Sequence, residues 1–250
     1  MRGLVIIVML LALCGCAASP PAGTAAREEP PAREEIGDGM RSIVAIGDSI
    51  TEAVGFNGVT STDQWLYLLL ERLGENDIEF GAGIPSAARP DADDVLVGAG
   101  WTAYNLGVSG QTTAEMLARF DREVPDDAGT IIIAGGLNDV FAGIPRAEII
   151  ANIEAMVEEA QAITDRVFVC ALPPCTGDSE AIEDEIVSLN EAYREICDAT
   201  GATYVDWYAA LLASDGSRDS GWSDPDGVHP NAEGNARLAE AFDIVADFGW

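Results

Sequence analysis

Lysine is absent from this sequence: all thirteen cationic residues are arginine, against 43 acidic residues, and the net charge over 250 residues is −30. A nucleic acid would be repelled by such a chain, so it is excluded as a partner. An acidic surface without lysine fits surroundings rich in salt, where screening relieves self-repulsion, and equally an acidic protein in ordinary medium. Histidine is scarce too, with one imidazole in the whole chain, and no Cys-x-x-Cys pair occurs. That stock argues against a zinc site, and no metal or organic cofactor is expected. Long apolar runs are also lacking. Leu4–Leu13 is only ten residues, too short for a stable membrane-spanning helix.

What that run does fit is the apolar core of a secretory signal, preceded by the basic Arg2. The stretch Leu13-Cys14-Gly15-Cys16 that follows resembles the bacterial and archaeal lipobox, in which a small residue precedes a lipidated cysteine. Cys16, after Gly15, fits the pattern better than Cys14, after bulky Leu13. One acyl chain holds a protein to a membrane weakly, and resemblance to the lipoprotein class implies several on that cysteine. Residues 17–40 are rich in Ala, Pro and Glu and have no apolar periodicity, which reads as a disordered tether. The expected organisation is therefore a signal over 1–15, a lipidated Cys16 with its tether to 40, and one domain over 41–250. That places the protein outside the cytoplasm, anchored to the cell membrane as a lipoprotein, or secreted if the signal is cleaved without lipidation.

Beyond residue 40, short β-branched runs alternate with amphipathic helical ones. SIVAIG (42–47), TAYNLG (102–107), TIIIAGG (130–136), RVFVCAL (166–172) and ATYVDW (202–207) read as strands. Helical spacing marks DQWLYLLLERL (63–73), the set Ile149, Ile150, Ile153, Met156, Val157, Ala160 and Ile163, and residues 231–248. This rhythm predicts α/β architecture, a parallel sheet covered by helices on both faces. Residues 76–101 break the rhythm and read as a long loop over the site or a small insertion. Of the domain's cysteines, Cys197 lies late in a predicted helix, so a bridge to it from Cys170 or Cys175 is hard, while a Cys170–Cys175 bridge stays open.

In parallel sheets, ligands bind beyond the carboxyl ends of the strands. The segments that follow these strands are Gly47-Asp48-Ser49-Ile50-Thr51, Asn105-Leu106-Gly107-Val108-Ser109-Gly110 and Gly135-Gly136-Leu137-Asn138-Asp139. A fourth segment, Asp224-Pro225-Asp226-Gly227-Val228-His229-Pro230, precedes the last helix. Together they offer what acyl transfer needs. Ser49 sits where a strand turns into a helix, and a serine hydroxyl becomes a nucleophile only when a base takes its proton. His229 is the only imidazole available, and Asp226, three residues earlier, is close enough to orient it. For the oxyanion, the candidates are the backbone N–H groups of Ser49 and Gly110 and the side-chain amide of Asn138. Glycine at 110 would let backbone approach closely without a Cβ.

These blocks, GDSIT, NLGVSG, GGLND and DGVHPN, resemble those of the SGNH hydrolases of the GDSL esterase/lipase superfamily, over about residues 41–250. The resemblance implies a flavodoxin-like three-layer α/β/α sandwich around a five-stranded parallel sheet. It implies a Ser49–Asp226–His229 triad and an oxyanion hole of Ser49, Gly110 and Asn138. Ordinary α/β-hydrolases are set apart by their Gly-x-Ser-x-Gly elbow, which occurs nowhere in this chain. The expected activity is hydrolysis of a carboxylic ester, either an acetylated glycan or a short lipid ester, through an acyl-enzyme. Two rivals keep parts of this reading: a thioesterase or transacylase of the same fold, and a non-catalytic surface lipoprotein that binds glycan or lipid.

Overall fold

The computed structural model describes residues 41–81, 95–176, 179–218, 221–223 and 225–249. The signal, Cys16 and the tether lie outside the described residues, as does Asp224. The chain runs β1 (Arg41–Gly47), α1 (Ser49–Glu52), α2 (Trp65–Arg72), β2 (Glu79–Gly81), β3 (Val95–Val97), β4 (Trp101–Gly107) and α3 (Thr113–Glu123). It continues through β5 (Thr130–Ala134), α4 (Leu137–Ala142), α5 (Arg146–Gln161), β6 (Val167–Cys170), α6 (Glu180–Thr200) and β7 (Thr203–Val205). It closes with α7 (Trp207–Ala210), α8 (Ala232–Glu240) and α9 (Ile244–Phe248).

All five strands read from the sequence are present, and they form the parallel part of the sheet in the order β4-β1-β5-β6-β7. The sheet has seven strands, where the family resemblance implied five. The additional two, β2 and β3, come from the stretch that breaks the strand–helix rhythm. They run antiparallel to each other, and β3 pairs antiparallel with β4. A three-residue strand at a sheet edge gives no periodicity to read, because its pattern is shorter than one helical turn. The Glu75 carboxylate closes this extension by accepting from the N–H groups of Ala99 and Gly100, ahead of β4.

β1 and β5 are buried along nearly their whole length, as continuous apolar runs at the centre of a parallel sheet require. Two helical layers cover the sheet. α3 packs on α5 and α5 on α6, through Met116, Phe120, Ile149, Ile153, Met156 and Tyr193 among others. α2 packs on α8, where Trp65 meets Trp207 edge-on at 5.1 Å and stacks on Phe242 at 5.9 Å. The helix read over 231–248 is two helices, because the Asp243 side chain accepts from the N–H groups of Val245 and Ala246 and starts a new one. Cys170, Cys175 and Cys197 are buried thiols, so the open Cys170–Cys175 bridge is not formed.

The strand order places the site. From β1 the chain goes to β4 on one side, then crosses back to β5 on the other. The carboxyl end of β1 is thus the point where winding reverses, the place at which open α/β sheets bind ligands. Gly47 and Gly107, paired at the ends of β1 and β4, let α1 settle directly over this edge. A Cβ on Gly107 would lie 2.1 Å from the Glu52 backbone nitrogen, so no side chain fits.

Candidate active site

Ser49 follows β1 after a single residue. Asp48 caps α1, its carboxylate accepting from the Ile50 N–H at 2.9 Å, and this cap turns the chain from strand to helix within two residues. The Ser49 Oγ lies 2.9 Å from His229 Nε2, and His229 Nδ1 lies 2.8 Å from Asp226 Oδ2. Residues 180 positions apart in sequence therefore form one hydrogen-bonded row. Asp226 Oδ1 accepts from the N–H groups of Val228 and His229, both at 2.8 Å, so the loop folds back on its own carboxylate. Partial burial acts to raise the Asp226 pKa. The hydrogen bonds from Val228, His229 and Asn57 outweigh it and hold the group down at about 2. Asp226 is thus a carboxylate throughout the neutral range, and a row of this kind can carry a proton from a hydroxyl to an imidazole.

Asn138 enters from α4, which begins directly after β5. Its amide donates to the Gln111 carbonyl at 2.9 Å and lies 3.5 Å from Asp48 Oδ2. It therefore bridges the residue after Gly110 and the residue before Ser49. Gly110 is exposed on the turn between β4 and α3, at φ 78°. The sequence suggested glycine here for close approach of backbone. The structure gives a different reason: a Cβ would meet nothing within 4 Å, but positive φ is left-handed backbone that other residues adopt at a cost.

Several members of the site were not singled out from sequence. Asp48 is buried, and desolvation raises its pKa to about 6 despite the Ile50 N–H and the attraction of His229. Asp139 is fully buried and accepts from the Thr113 N–H at 2.9 Å and the Thr113 hydroxyl at 2.6 Å; burial pushes it upward as well. Arg119, also buried, donates to the carbonyls of Gly47 at 3.0 Å and Leu106 at 2.7 Å and to Gln111 Oε1 at 2.7 Å. Phe56 stacks on the His229 ring with centroids 4.1 Å apart and planes at 16°. The Asn57 amide donates to Asp226 Oδ1 at 3.0 Å. In sequence, Gly55-Phe56-Asn57-Gly58 carries only a turn signal, since Asn-Gly marks turns wherever it occurs. Among the described residues, no group of three or more His, Cys, Asp or Glu is placed to hold a metal ion.

Solved structures share this architecture. A lipolytic protein of the G-D-S-L family from Veillonella parvula matches with a TM-score of 0.64 at 17% identity, over 84% of this chain and 98% of that one. A catalytic mutant of an acetylxylan esterase from Geobacillus stearothermophilus matches at 0.62 and 19% identity, over 87% of this chain and 97% of that one. A lipolytic protein of the G-D-S-L family from Desulfitobacterium hafniense matches at 0.59 and 21%, over 80% and 96%. No curated protein matches the chain. The sequence profile of the GDSL-like lipase/acylhydrolase family matches residues 89–237, a stretch that holds Gly110, Asn138, Asp226 and His229 and begins after Ser49. The chain belongs to the GDSL-like lipase/acylhydrolase family. It is a carboxylic ester hydrolase.

Proposed function

We propose that the protein is an extracytoplasmic serine esterase with Ser49 as nucleophile, His229 as general base and acid, and Asp226 as the group that orients the imidazole. The observation that carries this reading is the Ser49–His229–Asp226 row, at 2.9 and 2.8 Å, at the reversal point of the sheet. His229 Nε2 takes the hydroxyl proton as Ser49 Oγ bonds to the ester carbonyl carbon, and the carbonyl π electrons move to oxygen. The oxyanion is received by the Ser49 and Gly110 N–H groups and the Asn138 amide, whose plane is fixed by its bond to Gln111. Collapse breaks the bond to the alkoxy oxygen, which leaves as alcohol with the proton from His229. Water then cleaves the acyl-enzyme by the same route.

The similarity to an acetylxylan esterase favours an acetylated glycan as substrate, with short lipid esters as the other choice. Fluorophosphonate labelling, with the adduct mapped by mass spectrometry, should mark Ser49. Ser49→Ala should lower turnover by at least about 10³-fold while the protein still folds. More than a tenth of wild-type turnover in that variant would remove Ser49 from its role. A series of p-nitrophenyl esters from acetyl to dodecanoyl distinguishes the two substrate classes: preference for acetyl supports the glycan ester.

The N-terminal apolar run and Gly15-Cys16 support anchoring to the membrane through a lipidated Cys16, with residues 17–40 as tether to the domain. Cys16→Ser should leave the protein soluble or uncleaved, while the unaltered chain partitions into detergent. A free secreted form with another N-terminus would overturn the anchor and leave the esterase reading in place.

A further inference from the structure

We infer that the turn at Gly55–Gly58 is a built clamp on the acid–base pair, with Asn57 as a positioning residue that acts through Asp226 and His229; this rests on the triad reading above. The geometry is convergent. The single Asn57 amide nitrogen lies within hydrogen-bonding distance of three acceptors: Asp226 Oδ1 at 3.0 Å, the Ser223 carbonyl at 3.3 Å, and the His229 carbonyl at still closer range. It thus grips the carboxylate that orients the ring and the backbone that carries the ring, from 166 to 172 positions away in sequence. Phe56, the neighbouring residue, covers one face of the same imidazole in a near-parallel stack at 4.1 Å. The ring is held at Nδ1 by Asp226, on one face by Phe56, and at its own backbone by Asn57.

The backbone of the turn is shaped to deliver these two side chains. Gly55 (φ 92°), Asn57 (φ 46°, ψ 31°) and Gly58 (φ 81°) all adopt left-handed conformations. The Gly55 N–H donates to the Val59 carbonyl at 3.0 Å, and the Val59 N–H to the Phe56 carbonyl at 2.8 Å, which closes the turn. Glycine is the residue that φ at 57 favours, and asparagine is among the few others that tolerate it. Conformation alone would be met by glycine as well as by asparagine. The amide is what asparagine adds, and among the described residues its hydrogen bonds go to Ser223, Asp226 and His229.

Asn57→Gly separates the two roles, because it removes the amide and eases the backbone. Folding, followed by thermal melting, should be unimpaired. With a neutral ester, kcat should fall by about 10- to 100-fold and KM should stay within about twofold, since misplacement of a reacting group acts on the chemical step. In an Asp226→Asn background the same change should cost little more, because groups acting as one unit are not additive. Asn57→Asp is the second variant: it keeps the size and the turn preference but turns an acceptor toward Asp226, and it should be slower still. Fluorophosphonate labelling of Ser49 keeps the two claims apart. Failure to label the unaltered protein would sink the triad reading itself. If the unaltered protein labels and Asn57→Gly labels equally fast with unchanged kcat, or its loss multiplies in full with that of Asp226→Asn, the clamp is refuted and the triad stands.

Discussion

Asp48 shows how one residue can serve a site at the expense of the fold. Its carboxylate starts the helix that carries Ser49, yet it is buried and its pKa is raised from 3.8 to about 6. Below about pH 3 it is protonated whether the chain is folded or not, and it contributes nothing to pH dependence. As pH rises through the window from 3.8 to about 6, the unfolded chain ionises first and stability is lost. By pH 7 the loss reaches roughly 3 kcal/mol. An asparagine side chain in its place would cap equally well and carry no charge. Asp48→Asn should therefore raise the urea midpoint at pH 7 and leave it nearly unchanged at about pH 3. Equal gains at both pH values would show that the buried charge is not the cause. The gain should come with slower turnover, since the buried carboxylate attracts positive charge on His229.

Helix α3 is the element on which the two halves of the site depend. Arg119, at its centre, ties the ends of β1 and β4 through the Gly47 and Leu106 carbonyls, and it also holds the Gln111 side chain. Gln111 in turn accepts the Asn138 amide, so one guanidinium fixes the edge from which Ser49 and Asn138 both project. Arg119 pairs with Glu123 at 2.9 Å, and both side chains are 2% exposed. Removing Arg119 leaves the buried Glu123 with the half-exposed Arg122, at 3.0 Å, as its remaining ionic partner, and breaking a buried pair costs up to about 3–5 kcal/mol. Arg119→Met should destabilise by about that amount and lower kcat with it. Adding Glu123→Leu should restore much of the stability but not the kcat, because the strand-end carbonyls stay untied. Denaturant melts and kinetics on the single and double variants test this, and recovery of kcat in the double variant would show that Arg119 acts only through its pair.

At the scale of the whole molecule, the net charge of −30 is the dominant fact. Self-repulsion of that size works against the compact state and is screened within about 10 Å at 0.1 M salt. The thermal midpoint should climb as sodium chloride is raised from about 0.05 to about 1 M, measured by circular dichroism at constant pH. A flat response would mean that the carboxylates are spaced or paired well enough to need no screening. Surface pairs such as Arg194–Asp206, both half exposed, should weaken over the same range, so the sign of the response decides which effect is larger.

Sequence alone determined the parallel strands and pointed to Ser49, Asp226 and His229, which the fold brings into one hydrogen-bonded row, because both are written in local chemistry. A strand buried on two faces must be a continuous apolar run, as at Ile131–Ile133. With one histidine in the chain, the base had one candidate, and its distance from Asp226 was set by three residues of loop. What tertiary structure decided lay beyond local pattern. Arg119 and Glu123 are spaced like an ordinary surface ion pair on a helix, and only burial under the strand ends makes them a tie. Asn57 reads as a turn residue, and its amide finds Asp226 only after the chain has folded across 169 positions. β3 has strand character only because β4 offers it an edge, and β2 because β3 then offers the next one. Local patterns follow from periodicity, which a sequence displays; the partner of a polar side chain is fixed by where the sheet reverses its winding, which it does not.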